Sequence, residues 1–95
     1  MIDFSEIATE QIIARGQYSM VRRTREDWLK KLRDMCEGHN AAAASVLRDV
    51  QCNADCERHF SYMHDNVARM AEAVTEIEEL TKQLALIRPL AFPND

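Results

Sequence analysis

Glycine and proline are scarce in this chain of 95 residues, which contains two of each. Turns, β-hairpins and the loops that carry active sites depend on these two residue types. A β-rich fold and a loop-built active site are therefore both disfavoured. Hydrophobic residues account for 46% of the chain, which is too apolar a composition for a disordered protein. The composition favours a small all-α protein.

Long apolar runs and an even set of cysteines are also missing. No stretch approaches the roughly 18 apolar residues that a membrane span needs. The N-terminal sequence MIDFSEIATE carries acids where a signal peptide carries positive charge. The three cysteines are an odd number, which does not suit a disulfide framework. We expect a cytoplasmic protein of one domain, residues 1–95, that makes no membrane contact.

The net charge is −4, but the charges are unevenly distributed along the chain. Between Arg15 and Arg33 there are seven basic residues and two acids, whereas residues 55–95 hold eight acids and four bases. Such asymmetry indicates either an anionic partner for the basic segment or a basic helix packed against an acidic one.

The spacing of apolar residues predicts three helices, over about 4–15, 20–37 and 41–88, followed by a tail at 89–95. Asp3 and Glu6 have the spacing of a capping box at the start of the first helix. Gly16 is expected to end that helix, Gly38 and Asn40 to end the second, and Pro89 to stop the third. The predicted fold is an all-α helical bundle of about three helices with a long C-terminal coiled-coil-like helix.

Apolar residues in the third predicted helix alternate by three and four positions, which is a heptad seam. The seam residues are Phe60, Met63, Val67, Met70, Val74, Ile77, Thr81 and Leu84. Upstream apolar residues follow another phase, so we expect either a kink at 51–57 with Asp55 as a new N-cap or one bent, continuous helix. The absence of glycine and proline there favours the continuous helix. A seam longer than the first two helices can cover predicts self-association, with a dimer favoured.

Two Cys-x-x-His pairs, Cys36/His39 and Cys56/His59, have the residue types of a zinc site. On the predicted helices Cys56 lies about 24 Å along the chain from the corner near His39, too far for one ion. A shared site would need a second chain or a sharp bend at 51–55. We therefore predict no metal, no cofactor and no enzymatic activity, with both cysteines as small buried side chains.

The basic segment 15–33 is the strongest indication of an anionic ligand. Arginine binds phosphate through two hydrogen bonds, and aromatic rings can stack on bases. The candidate residues for nucleic acid or a nucleotide are Arg22, Arg23, Arg25, Lys30, Lys31, Tyr18 and Trp28. Because the whole chain is acidic, anion binding is the alternative hypothesis rather than the first one.

The first functional hypothesis is a non-catalytic protein-interaction module, an adaptor or an inhibitor, that self-associates and docks on a larger protein. The candidate interface residues are those that a heptad seam or an apolar tail would present. They are Phe60, Met63, Val67, Met70, Val74, Ile77, Leu84 and Phe92.

Overall fold

The chain consists of two long helices, α1 over Phe4–Gln51 and α2 over Glu57–Ala91. The computed structural model describes the backbone of residues 4–94 and the side chains of residues 8–94, and within that backbone there is no strand. The all-α prediction is confirmed, but the prediction of three helices is wrong. Neither of these helices is both long and apolar enough to cross a membrane.

Both glycines lie in the interior of α1, and neither ends a helix. Neither has the positive φ that a glycine at a helix C-terminus adopts. A glycine inside a helix costs about 1 kcal/mol relative to alanine, which a long packed helix tolerates. Gly38 also has a packing role, because a Cβ there would lie 2.5 Å from Tyr62 Oη. The predicted helix ends at Gly16 and at Gly38–Asn40 were therefore wrong, and the capping box of Asp3 and Glu6 lies outside the described side chains.

The chain reverses between the helices at residues 52–56. Asn53 has a φ of 56°, the left-handed conformation that asparagine tolerates better than most residues. Asp55 Oδ1 accepts a hydrogen bond from the Glu57 backbone N–H at 3.0 Å, which caps α2. The continuous helix over 41–88 was thus wrong, and the chain reverses at 52–56 where the alternative predicted only a kink.

The predicted stop at Pro89 was also wrong, because α2 continues through Pro89 to Ala91. Proline removes one backbone hydrogen bond, but the last turn has other partners. The Phe92 N–H donates to the Arg88 carbonyl at 2.8 Å, and Arg15 Nε donates to the Ala91 carbonyl at 2.9 Å. These contacts hold the end of α2 and leave the tail beginning at Phe92.

The contacts divide the chain into two units. The terminal unit comprises Met1–Asp27 and Glu76–Asp95, and the turn unit comprises Trp28–Thr75. In each unit a segment of α1 runs antiparallel to a segment of α2. In the turn unit, Asn66 Nδ2 donates to the Met35 carbonyl at 2.8 Å. In the terminal unit, Arg25 Nε donates to Thr81 Oγ1 at 2.9 Å.

The buried and half-buried side chains of both helices recur at alternating intervals of three and four residues, and we call these rows the seams. The α1 seam is Gln11, Ala14, Tyr18, Val21, Arg25, Trp28, Leu32, Met35, His39, Ala42, Val46 and Asp49. The α2 seam is Cys56, His59, Met63, Asn66, Met70, Ala73, Ile77, Leu80, Leu84, Ile87 and Ala91.

The α2 seam shares only every second residue with the row that the sequence predicted. Met63, Met70, Ile77 and Leu84 belong to both rows. At the other positions the seam residue is the one immediately before the predicted residue. Asn66 and Ala73 are therefore buried, while Val67 and Val74 are exposed. Short side chains in the seam let two helices approach closely. This explains why Asn66 and Ala73, and not Val67 and Val74, face α1.

Candidate interaction surfaces

The described core contains almost no bulky side chain. The buried apolar residues between positions 8 and 94 are all alanines, namely Ala14, Ala42, Ala73 and Ala91. Eleven large hydrophobic side chains in the same range are exposed to solvent. Many of the large apolar side chains are therefore left outside the two helices' own contacts.

In the turn unit, apolar residues one position after a seam residue form two rows, in which Leu29 and Cys36 are half-buried and the other members are exposed. We call them together the outer face. Its α1 row is Leu29, Cys36, Ala43 and Val50, and its α2 row is Phe60, Val67 and Val74. Both rows are spaced by seven residues. In an antiparallel pair of helices, the positions that follow the seam lie on the same side of the pair, so the two rows are neighbours.

The opposite side of the turn unit is mainly polar and carries the exposed ring of Tyr62. It is formed by the residues that precede each seam position, and these are Lys31, Gly38, Ser45, Tyr62 and Arg69. The close approach of Tyr62 to Gly38 shows that residues preceding the two seams do meet on one side. The turn unit thus has one apolar side and one polar side.

The terminal unit carries an open pocket of about 450 Å³. Its apolar lining includes Ile13, Ala14, Pro89, Leu90 and Pro93.

Glu10, Gln11 and Gln17 provide the polar part of the pocket wall. Ile13 and Met20 are seven residues apart and therefore share one face of α1, and Met20 is 71% exposed. Leu86 and Leu90 are four apart on one face of α2 and are also exposed. The pocket is thus accompanied by exposed apolar side chains on both helices.

The apolar tail folds back onto α1 in the terminal unit. The Phe92 ring meets the Tyr18 ring edge-on at 5.3 Å between centroids. The Arg15 guanidinium lies 5.3 Å from the centre of the same ring, and Arg15 Nε holds the Ala91 carbonyl. Phe92, a predicted interface residue, and Tyr18, a predicted base-stacking residue, are therefore engaged with each other.

In the terminal unit the predicted anion-binding arginines have different contacts and directions. Arg22 forms an exposed ion pair with Glu26 at 3.9 Å, and Arg25 is in the seam, bonded to Thr81. Arg23 is exposed and points in a different direction from Arg22, because successive residues of a helix are turned by about 100°.

The other three predicted anion-binding residues belong to the turn unit. Lys31 Nζ lies 4.5 Å from the centre of the Trp28 ring, a cation–π contact that occupies both side chains. Lys30 is exposed.

The two Cys-x-x-His pairs have separate partners in the turn unit. His59 Nε2 lies 2.6 Å from Asp49 Oδ2, and Cys56 Sγ donates to the Val46 carbonyl at 3.6 Å. Cys36 is half-buried, and His39 Nδ1 is enclosed without a hydrogen-bond partner. Between residues 8 and 94, no three or more His, Cys, Asp or Glu side chains are grouped so that they could hold a metal ion.

The Asp49–His59 pair was not recognised as a pair from the sequence. The only signal was that both residues continue a three-and-four spacing toward the break. The hydrogen bond from His59, and after it the positive charges of His59 and Arg48, hold the pKa of Asp49 below its usual value against the opposing effect of burial. Arg48 Nε lies 3.7 Å from Asp49 Oδ1.

This lowered pKa predicts how the turn unit responds to acid. Because the pKa of Asp49 is lower in the folded chain than in the unfolded one, its contribution to stability is present above the usual aspartate pKa of about 3.9 and is lost as the pH falls through the folded value. We expect Asp49→Asn to remove part of the acid-induced loss of stability, measured as the urea midpoint across an acid pH series. The matched control is Asp65→Asn, at an exposed position of α2. An equal acid response of the two variants would contradict the prediction.

No protein-family model, curated protein or solved structure matches this chain. Its function is therefore inferred from the surfaces of the two units.

Proposed function

We propose that the chain is a non-catalytic protein-interaction module, an adaptor or an inhibitor, that associates with itself and docks on a larger protein partner. The observation that carries the proposal is the contrast between a core of alanines and eleven exposed large hydrophobic side chains in the described range. Exposed apolar surface of this kind is typical of proteins that bury it against another chain.

The terminal unit offers the surface best suited to a different protein. A pocket of about 450 Å³ with apolar walls accepts an aromatic or branched anchor side chain, as interface hot spots do. Glu10 at its wall favours a basic residue beside that anchor. We propose that the larger partner inserts such an anchor between α1 and α2 of the terminal unit and also contacts Met20, which shares one face of α1 with the pocket residue Ile13.

Affinity capture from the source cell tests this docking. The tagged native chain is expected to retain a partner, and Met20→Glu is expected to retain at least about tenfold less, since a charge in an apolar contact costs more than about 1.4 kcal/mol. The matched control is Ser19→Glu, which adds the same charge at the neighbouring exposed position, turned about 100° away.

Two outcomes would contradict the docking proposal. One is that the native chain retains nothing that a tag alone does not, and the other is that Met20→Glu and Ser19→Glu retain the partner equally. Salt separates this mode from anion binding. An apolar contact hardly responds to ionic strength, whereas contacts of Arg22, Arg23 and Lys30 with phosphate weaken steeply between low and physiological salt.

A further inference from the structure

We propose that the outer face of the turn unit is covered by a second copy of this chain, so that two turn units form a four-helix bundle. The inference deepens the self-association in the proposed function and rests on it. It assigns that self-association to one surface and its occupant to an identical helix pair.

The spacing of the outer face is the first argument. A helix in a four-helix bundle contacts two neighbours and therefore needs two adjacent apolar rows of heptad spacing. In the turn unit each helix has one row in the seam and a second row beside it. The second rows are Leu29 to Val50 on α1 and Phe60 to Val74 on α2, and five of their seven members are exposed.

The exposure of these residues is the second argument. Phe60 is 57% exposed, Val67 54%, Val74 41% and Val50 58%. The seam residue immediately before Val67, Asn66, is 5% exposed. Phe60, Val67 and Val74 thus point away from the helix contact, and this is the arrangement expected if a further helix layer is to cover them.

The size of the face is the third argument. From Leu29 to Val50 the helix extends about 32 Å, and two helices side by side are about 20 Å wide. A face of roughly 600 Å² in projection matches the roughly 800 Å² of accessible surface that each partner of a stable dimer buries. The outer face is therefore large enough for a dimer without any other contact.

The charge of the face is the fourth argument, and it is compatible with a second copy as the occupant. The outer face is flanked by the residues that follow the other seam positions. The charged ones among them are Arg33 and Glu57, one of each sign. A surface that meets its own copy doubles whatever net charge it carries. Because this flank is neutral, two copies meet without repulsion. The remaining flanking positions are Asn40, Leu47, His64 and Ala71.

The test is the mass of the full chain in solution, measured by light scattering coupled to size exclusion over a concentration series. The native chain is expected at twice 11.0 kDa and Val67→Glu near 11.0 kDa. The dissociation constant of Val67→Glu should rise at least about a hundredfold, because each copy then buries a carboxylate without a partner.

The matched control is Ala68→Glu, at the next exposed residue and turned about 100° from the outer face, which should remain dimeric. Circular dichroism checks that both variants stay helical. If Val67→Glu lost its helicity, Phe60→Ala would decide the test, since it shortens an exposed side chain and keeps the helix propensity. That variant should weaken the dimer at least about tenfold.

The proposal is overturned if the native chain has a mass of 11.0 kDa at every concentration, or if Val67→Glu dimerises as strongly as Ala68→Glu. Failure of this inference is distinguishable from failure of partner docking. A native monomer whose partner capture still depends on Met20 removes only the second copy. A dimer that depends on Val67 and captures no other protein removes only the docking.

Discussion

Replacing Asn66 by aspartate is expected to destabilise the folded chain by about 3 kcal/mol near neutral pH. Asn66 is the buried polar residue of the α2 seam, 5% exposed, and its Nδ2 donates to the Met35 carbonyl of α1 at 2.8 Å. Aspartate has the same shape but donates no hydrogen bond when ionised. Its carboxylate would face the carbonyl oxygen and leave a charge buried.

The effect of Asn66→Asp should depend on pH with a defined sign. Burial raises the pKa of a carboxyl group, so the folded variant binds a proton more readily than the unfolded one. Stability is therefore regained as the pH falls toward about 4, where the protonated group can donate to the Met35 carbonyl. Urea denaturation followed by circular dichroism at about pH 7 and about pH 4 measures the difference.

The control for this prediction is Asn66→Leu. It removes the polar group and the hydrogen bond without leaving a buried charge, and we expect a change within about 1.5 kcal/mol of the native chain. Equal stability of the Asp and Leu variants at neutral pH would show that Asn66 does not make the contact described here.

Replacing Ala73 by glutamate is the second large effect, and we expect it to cost at least about 3 kcal/mol. Ala73 has no exposed surface and stands where the α2 seam meets α1. A longer side chain there must push the helices apart or bury a carboxylate among apolar groups. Ala68→Glu introduces the same residue at an exposed position of the same helix and should change stability by less than about 0.5 kcal/mol.

Thermal and urea unfolding of the two glutamate variants give the comparison. Ala73→Ser is a milder variant for the case in which Ala73→Glu does not fold, and it should cost about 1 kcal/mol, since it places a small polar group in the seam. If Ala73→Glu were as stable as Ala68→Glu, the seam would have to run along another row of α2.

The row that the sequence predicted as the seam of α2 is the more hydrophobic of the two rows. Phe60, Val67 and Val74 are more apolar than His59, Asn66 and Ala73, so a pattern of apolar residues predicts the former as the seam. The structure packs the latter against α1, because small side chains permit a close helix contact and Asn66 finds a carbonyl to bond. The prediction that Phe60, Val67 and Val74 belong to an interface still stands as a prediction, now for a partner outside the helix pair.

For the candidate functional residues too, the sequence shows the residue types but not their contacts. The residue types of the basic segment predict anion binding, but their directions around α1 and their contacts with Glu26, Thr81 and Trp28 were not visible from spacing. The zinc hypothesis depended on which groups meet at the turn. There the fold brings Asp49 to His59, a pair ten residues apart that needs the chain reversal at 52–56 to form.

The sequence by itself determined the all-α class and showed a change in the phase of the apolar residues near 51–57. These features depend on local propensity and periodicity, which each segment carries alone. Only the tertiary structure decided that α1 continues through Gly16 and Gly38, that Asn66 and Ala73 form the seam, and that the outer face stays exposed. Each of these depends on the free energy of packing one helix against another, and that term is absent until the two helices meet.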